Sequence, residues 1–129
     1  MKTSSLEAVV IQLLNQAGKK YVREKQFSDC YNGLYRFDFY SPTENWCLEI
    51  NGRQHYVYTK NFYKSRADFT KAQERDRRKI AYCLAHNIDI YIIPYWEIDN
   101  LLSVGDLFQY KFKATSKFHN DEVWSHQKP

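Results

Sequence analysis

The sequence has few of the features that mark membrane-bound or disulfide-stabilised proteins. No apolar run in its 129 residues approaches the roughly 20 that a membrane-spanning helix needs. Glu7 interrupts the apolar start, so a cleavable signal peptide is not predicted. The three cysteines, Cys30, Cys47 and Cys83, form no CxxC pair, which favours reduced, packed thiols over a zinc site. We therefore expect a cytoplasmic protein of a bacterium or of a phage-infected host cell, with no membrane partner.

Internal repeats and low-complexity segments are also absent, and the length fits one domain with one core. Aromatic residues, in contrast, are abundant at 17% of the chain. Tyrosine suits surfaces that meet polar partners, including unstacked bases. The net charge of +4 is compatible with a polyanionic partner and does not require one.

The first part of the chain predicts a helix and a short strand. Apolar residues recur at helical spacing over 6–17, Ser4 with Glu7 forms a capping-box pattern, and Gly18 ends the helix. A strand is expected around 21–27.

Residues 34–51 carry the clearest sheet signal, a β-hairpin. Apolar and polar side chains alternate on both sides of a Ser-Pro-Thr-Glu-Asn turn. With a four-residue loop, Ser41 pairs with Trp46. Counting inward then places Asp38 opposite Glu49, on the same face of the sheet.

The remainder predicts a loop over 53–65, a helix over 66–86, a left-handed residue at Asn87 and a strand over 88–93 that is buried on both faces. A short final helix is expected over 97–103. The apolar stripe of the long helix comprises Phe69, Ala72, Asp76, Ile80, Cys83 and Leu84.

This order of elements predicts an α/β protein. The strand–helix–strand unit should form a right-handed parallel crossover, within a mixed central β-sheet flanked by helices on both sides. We expect the folded domain to cover 1–107, with 108–129 forming a basic C-terminal tail or arm.

The facing carboxylates Asp38 and Glu49 are candidates for chemistry. Two like charges opposite each other destabilise a sheet, and a bound cation is one explanation. The alternative is that both acids face solvent and Arg36 pairs with one of them.

The sequence around these acids resembles a known family. The segments are YRFDFY at 35–40, LEINGRQHY at 48–56, DRRK at 76–79 and IYIIPY at 90–95. In this order and spacing they resemble the PD-(D/E)XK nuclease superfamily, especially its very-short-patch-repair-like branch of phage and intron-associated endonucleases. The resemblance covers roughly 4–102 and leaves the tail unexplained.

The resemblance implies a restriction-endonuclease-like core and a metal-dependent endodeoxyribonuclease that hydrolyses phosphodiester bonds with Mg²⁺ or Mn²⁺. Asp38 matches the aspartate of the second core strand and Glu49 the acid of the D/E-x-K element, so both should bind the metal. Asn51 stands where that element has its lysine. Lys79, one helical turn after Asp76, is the candidate replacement cation.

The resemblance also suggests further site residues. His55 would act as a general base or orient water. Asp76 and Glu7 would be additional metal-binding acids, and Gln54 and Asn51 would orient water or phosphate. Each has a structural alternative: a surface histidine, an ion pair within the helix for Asp76, a helix cap for Glu7, and local hydrogen bonds for the amides.

A basic segment lies close to these residues in the chain. Between Lys60 and Lys79 there are eight Lys or Arg against three acids, interleaved with aromatic rings. This pattern favours contact with a nucleic-acid backbone, although a solvated helix face is the alternative. The predicted nucleic-acid contacts are Lys60, Lys64, Arg66, Arg75, Arg78 and Arg53.

We therefore expect an endonuclease, nicking or structure-specific, that acts on DNA. The chain is too short for a separate recognition domain, so a homodimer or a partner protein could supply specificity. Two other classes of function stay open. One is a non-catalytic nucleic-acid-binding module of the same fold, and the other is a phage-encoded protein-interaction module.

Overall fold

The structure, a computed structural model, describes residues 5–112 of the chain. Its helices are α1 (Ser5–Gln16), α2 (Arg66–Ala85) and the short α3 (Val104–Leu107). Its strands are β1 (Val22–Lys25), β2 (Phe37–Ser41), β3 (Trp46–Asn51) and β4 (Asp89–Pro94). Turns of 3₁₀ helix cover Tyr31–Gly33, Arg53–His55 and Tyr95–Asn100.

The four strands form one mixed sheet in the order β1-β2-β3-β4. The first two pairings are antiparallel and the third is parallel, so the predicted α/β class and the parallel β3–α2–β4 crossover are confirmed. Ser41 pairs with Trp46, as the turn length predicts. The hairpin register is therefore set locally, by the loop between the two strands.

Helices cover both faces of the sheet. On what we call the α1 face, α1 and α3 pack on a cluster of Leu6, Val10, Leu13, Leu14, Phe39, Trp46, Leu48, Tyr91, Ile93, Leu101 and Leu107. On what we call the α2 face, α2 packs on a cluster of Cys30, Tyr35, Phe37, Cys47, Tyr56, Val57, Ile80, Tyr82, Cys83, Ile88, Ile90, Ile92 and Phe112. Strand β4 supplies alternate residues to both clusters, as a strand buried on both faces does. All three cysteines are buried free thiols, as predicted.

The helix boundaries follow local chemistry. Gly18 adopts a φ of +68°, and the amide of Lys19 donates to the Leu14 carbonyl at 3.0 Å, which closes α1 with a Schellman turn. Ser65 caps α2 by accepting from the Asp68 amide at 3.2 Å. Asn87 follows α2 with a φ of 57°, the predicted left-handed residue. The predicted Ser4 cap lies outside the described residues.

Two predictions about helices are wrong. Leu84 is not on the buried stripe of α2, because 42% of its surface is exposed. No single helix covers 97–103, because the Asp106 carboxylate accepts from the amides of Leu102 and Ser103. Those bonds turn the chain out of the 3₁₀ segment and make Ser103 the cap of α3.

Part of the predicted tail packs on the sheet. The Ile92 amide donates to the Tyr110 carbonyl at 3.1 Å, and the Phe112 amide donates to the Ile90 carbonyl at 2.8 Å. The chain therefore runs along the outer edge of β4, and the packed structure continues past residue 107 to Phe112. The rest of the predicted tail, 113–129, lies outside the described residues. Between residues 5 and 112, no helix has both the length and the apolar character to cross a membrane.

Candidate functional site

Buried charge in the described part of the chain is concentrated at one place. Glu49 of β3 and Asp76 and Lys79 of α2 are each only 7–8% exposed. Ionised side chains are almost never buried without partners, since desolvation disfavours the charged form. The partners of these three groups therefore define the site.

Asp38 and Glu49 are joined by reciprocal hydrogen bonds. The Asp38 amide donates to Glu49 Oε2 at 2.6 Å, and the Ile50 amide donates to Asp38 Oδ2 at 2.8 Å. The carboxylates thus accept from backbone amides at the end of the β2–β3 ladder. The predicted proximity of the two acids is present in the structure.

The expectation that both acids project from one face is wrong. Phe37 and Phe39 should share a face under strict alternation, yet they belong to different core clusters, so the alternation breaks at Asp38. Asp38 lines a cavity of about 280 Å³ on the α1 face. Glu49 instead turns to the α2 face, where it meets α2.

Lys79 reaches the carboxylate pair from α2. Its ammonium forms an ion pair with Glu49 Oε1 and lies 5.0 Å from the centre of the Phe37 ring. Burial acts to lower the pKa of Lys79, but the charge and hydrogen bond of Glu49, with the charges of Asp38 and Asp76, outweigh it and raise the pKa above its ordinary value. The lysine is therefore held charged beside Glu49.

His55 and Asp76 form a second pair in the same region. His55 Nδ1 lies 2.8 Å from Asp76 Oδ2, and 24% of the histidine side chain is exposed. Burial acts to lower the pKa of His55, but the hydrogen bond and charge of Asp76, with the charges of Glu49 and Asp38, raise it above its ordinary value. Asp76 can lie on the buried stripe of α2 because this histidine is its partner.

The charges do not balance at neutral pH. Asp38, Glu49 and Asp76 face one lysine and one titratable histidine. Burial and the neighbouring Glu49 charge together raise the pKa of Asp38 to about 7. The cluster is thus deficient in positive charge whenever all three acids are ionised.

Three further predicted residues surround the acids. Glu7 and Gln54 line the same cavity as Asp38, and Glu7 forms an ion pair with Arg23 of β1. Gln54 packs so closely on Gly52 that a Cβ there would come within 2.6 Å of its Oε1. Sequence reasoning missed Arg23, because no motif marks a residue that contacts Glu7 only through the fold.

Asn51 is 3% exposed and lies behind the site. Burial raises the pKa of the Tyr56 phenol above its ordinary value, and the neighbouring Asn51 side chain acts against that shift. A small cavity of about 10 Å³ separates Asn51 from Asp76 and Lys79. Asn51 therefore lies beside these buried charges, and its role in orienting water or phosphate stays a prediction.

The predicted nucleic-acid contacts fall into two groups. Arg75 and Arg78 line a groove beside α2, where Arg78 also bonds to Glu74 and to the Tyr35 hydroxyl. Arg66 lies 4.7 Å from the centre of the Tyr58 ring. The others, Arg53, Lys60 and Lys64, are on the segment between β3 and α2 and are not among the groove residues in the described chain.

No ready-made metal cage is present among residues 5–112. No group of three or more His, Cys, Asp or Glu side chains is arranged there to hold an ion. The donor chemistry of Asp38 and Glu49 nevertheless suits hard cations, which take carboxylate oxygens and keep several waters.

Comparison with known proteins gives two partial relatives. The chain is 36% identical over 58 residues to uncharacterized protein 307L of Invertebrate iridescent virus 6, which is 45% of this chain and 29% of that protein. It is 41% identical over 59 residues to uncharacterized protein 094L of Frog virus 3 (isolate Goorha), which is 45% of this chain and 38% of that protein. The match thus spans less than two-fifths of either relative. No family model and no solved structure matches the chain.

Proposed function

We propose that the protein is a metal-dependent endonuclease that hydrolyses phosphodiester bonds in DNA. The observation that carries the proposal is the meeting of Asp38, Glu49 and Lys79 at the end of the β2–β3 ladder. Paired carboxylates with a nearby lysine are the groups that phosphodiester hydrolysis uses to bind a metal and to offset charge on phosphate. The topology around them, an antiparallel β1–β2–β3 unit followed by α2 and parallel β4, is compatible with a restriction-endonuclease-like core.

The carboxylate pair fits a divalent cation such as Mg²⁺ or Mn²⁺. Asp38 and Glu49 would hold it: burial, together with the neighbouring Glu49 charge, raises the pKa of Asp38, and a cation there would favour its ionised form. When bound, such an ion lowers the pKa of water and neutralises charge on phosphate. Glu49 already accepts from the Asp38 amide and from Lys79, so binding requires Lys79 to shift along its flexible stem.

Lys79 supplies the positive charge that Asn51 cannot. Its ammonium lies on Glu49, and the residue also lines a second cavity that opens beside Leu34 and Arg36. A phosphate that enters from this side would meet the lysine first. Lys79 would then bind and orient that phosphate next to the carboxylates.

His55 is placed to move a proton. When Asp76 accepts from Nδ1–H, the other ring nitrogen, Nε2, is left as the acceptor. Burial acts to lower the pKa of His55, but the hydrogen bond and charge of Asp76 outweigh it, so the ring accepts a proton more readily than an ordinary histidine. Asp76 acts through His55, by fixing the tautomer and the ring orientation.

A non-catalytic nucleic-acid-binding module is the second candidate. The observation that favours it is the ion pair of Lys79 with Glu49, which already satisfies part of the charge that a metal would balance. In this alternative the protein keeps the fold and the basic groove but has no turnover.

Cleavage assays test the proposal. Purified full-length protein is incubated with supercoiled, linear, branched and single-stranded DNA in Mg²⁺, Mn²⁺ or chelator. We expect cleavage only with metal, and a loss of at least about a hundredfold, or ~2.7 kcal/mol of barrier, in Asp38→Asn. The matched control is Asp99→Asn, which removes an exposed acid outside the site.

Calorimetric titration of Mn²⁺ into wild type and Asp38→Asn separates the two candidates. Metal binding together with cleavage supports the endonuclease. DNA binding without metal binding or cleavage supports the non-catalytic module. Undiminished cleavage by Asp38→Asn at equal metal would refute the assignment.

A further inference from the structure

A groove leads along α2 toward the buried charges. It consists of an outer cavity of about 580 Å³ and an inner cavity of about 430 Å³, which share Tyr35 and Arg75. We call it the Tyr35 groove. Its inner end includes Lys79, whose ammonium is bonded to Glu49. The groove therefore reaches Lys79, and through it Glu49, from the α2 face.

The walls of the Tyr35 groove are mainly basic. They carry Lys71, Arg75, Arg78, Arg36 and Lys79, against the two acids Asp68 and Glu74. Arg78 forms an ion pair with Glu74, whereas Lys71 and Arg75 form no ion pair among residues 5–112. Two cations on α2 are thus available to a phosphate chain lying in the groove.

The outer cavity also presents aromatic rings. Phe62 is 61% exposed and packs edge-on against Tyr63, with ring centres 4.9 Å apart. Tyr31 does not line either cavity but is 50% exposed beside a groove residue, since Arg78 lies 5.2 Å from the centre of its ring. Exposed rings beside phosphate-binding cations are the combination on which unstacked bases lie.

The turn at the inner end is held in an uncommon conformation. Tyr31, Asn32 and Gly33 have φ values of 48°, 58° and 72°, which glycine adopts freely and asparagine tolerates, whereas a tyrosine adopts them rarely. This turn leaves Leu34 70% exposed on the wall of the inner cavity. An apolar side chain displayed there would pack on a base and not on a phosphate.

We propose that the Tyr35 groove binds an unpaired polynucleotide strand and leads it to Lys79. Bases in a duplex are stacked on each other and present only edges, so they cannot lie against Phe62 or Leu34. The substrate of the proposed nuclease would then be a single-stranded or frayed region. The direction of the strand toward the carboxylates rests on the proposed function, whereas binding of the strand does not.

Fluorescence anisotropy with the full chain tests the inference in chelator, where cleavage is prevented. The probes are a labelled single strand of about 12 nucleotides, within the usual site sizes for such grooves, and its blunt duplex. Wild type should bind the single strand about tenfold more tightly. Phe62→Ala should weaken that binding at least about fivefold, and Arg75→Gln should reduce the salt slope by about one.

The matched controls are Leu102→Ala, an exposed apolar residue outside the groove, and Lys20→Gln, an exposed cation at the far end of α1. Both should bind like wild type. Equal or tighter binding of the duplex, or a Phe62→Ala protein that matches Leu102→Ala, would overturn the inference. Single-strand binding without metal-dependent cleavage would leave the inference standing and remove the proposed function.

Discussion

Both faces of the sheet bury an apolar cluster, but they differ in the buried charge beside β3. On the α1 face, Leu14, Phe39, Leu48 and Ile93 are fully buried. On the α2 face, at the same level of β3, Glu49 is buried against charged residues of α2. Apolar burial stabilises a fold, whereas buried ion pairs rarely repay their desolvation. Both faces therefore stabilise the fold by apolar burial, and the α2 face also carries the cost of burying Glu49, Asp76 and Lys79.

The largest expected effect is on the α1 face. Leu14→Ala removes a fully buried side chain and should lower the free energy of unfolding by about 3 kcal/mol. The loss should be the same at pH 5 and pH 8, and unaffected by Mg²⁺, because no charge contacts this position. Urea denaturation measures it, with the 82%-exposed Leu102→Ala as the control. A loss that depends on pH would break the contrast between the faces.

The second-largest expected effect is the loss of stability on removing Lys79 from the α2 face. Lys79→Met leaves Glu49 beside Asp38 without its cation, and should lower stability at pH 8 by about 2 kcal/mol. The loss should shrink toward pH 5, because Asp38, with a pKa raised to about 7, takes up a proton there. Single-turnover cleavage should also fall at least tenfold, or about 1.4 kcal/mol of barrier.

Metal and a matched variant sharpen that test. Mg²⁺ should restore more stability to Lys79→Met than to wild type, since the ion replaces the missing charge. Lys20→Met removes an exposed lysine outside the site and the groove, and should change neither stability nor turnover rate by much. Equal small effects of the two substitutions would contradict the role of Lys79.

Asp38→Asn should stabilise the metal-free protein while abolishing activity. Asp38 has a folded pKa of about 7 against an ordinary 3.8, so its ionised form destabilises the fold. That penalty is absent below pH 4, grows as pH rises through 4–7 and is complete above 7. The substituted asparagine keeps an acceptor for the Ile50 amide, so the variant should gain about 1–2 kcal/mol at pH 8.

Thermal unfolding in chelator at pH 4, 6 and 8 measures this gain. Asp99→Asn, which changes an exposed acid, should show none. A gain that is equally large at pH 4 would mean that packing, and not charge, is responsible.

The smallest effect concerns His55. Its folded pKa is raised, so its contribution to stability is complete below the unfolded pKa of about 6.5 and is lost as pH rises through the folded pKa. His55→Gln should therefore cost about 1 kcal/mol at pH 6 and less at pH 9. The control is His86→Gln, a histidine whose side chain is 43% exposed. NMR titration of His55 in Asp76→Asn should show the pKa falling. If the stability cost of His55→Gln did not change with pH, the contribution of His55 would not come from its charged interaction with Asp76.

Local patterns were sufficient for most of the fold. Helical spacing with Gly18 predicted α1, the turn predicted the pairing of Ser41 with Trp46, and β-branched residues predicted β4. Each of these signals acts over a few neighbouring residues, so the sequence shows it directly. The helix predicted over 97–103 was wrong because the Asp106 carboxylate accepts from backbone amides there, a contact that apolar spacing does not report.

The candidate site also combines features that the sequence predicts with features that only the fold shows. The sequence by itself predicted that Asp38 and Glu49 lie close together, and that Lys79 lies one turn from Asp76, because the turn length and the helical pitch act locally. It did not show that the alternation of β2 breaks at Asp38. Only the tertiary structure decided that Glu49 turns to Lys79, because that depends on how α2 lies over the sheet.

Longer-range contacts were also left to the tertiary structure. His55 contacts Asp76, which lies 21 residues away in the chain, and Glu7 forms an ion pair with Arg23. The chain up to Phe112 lies along β4. Such contacts bring together side chains whose separation along the chain carries no information about their distance in space. Burial then determines the protonation of these groups. A charged side chain removed from water depends on its few remaining partners, and these partners shift its pKa.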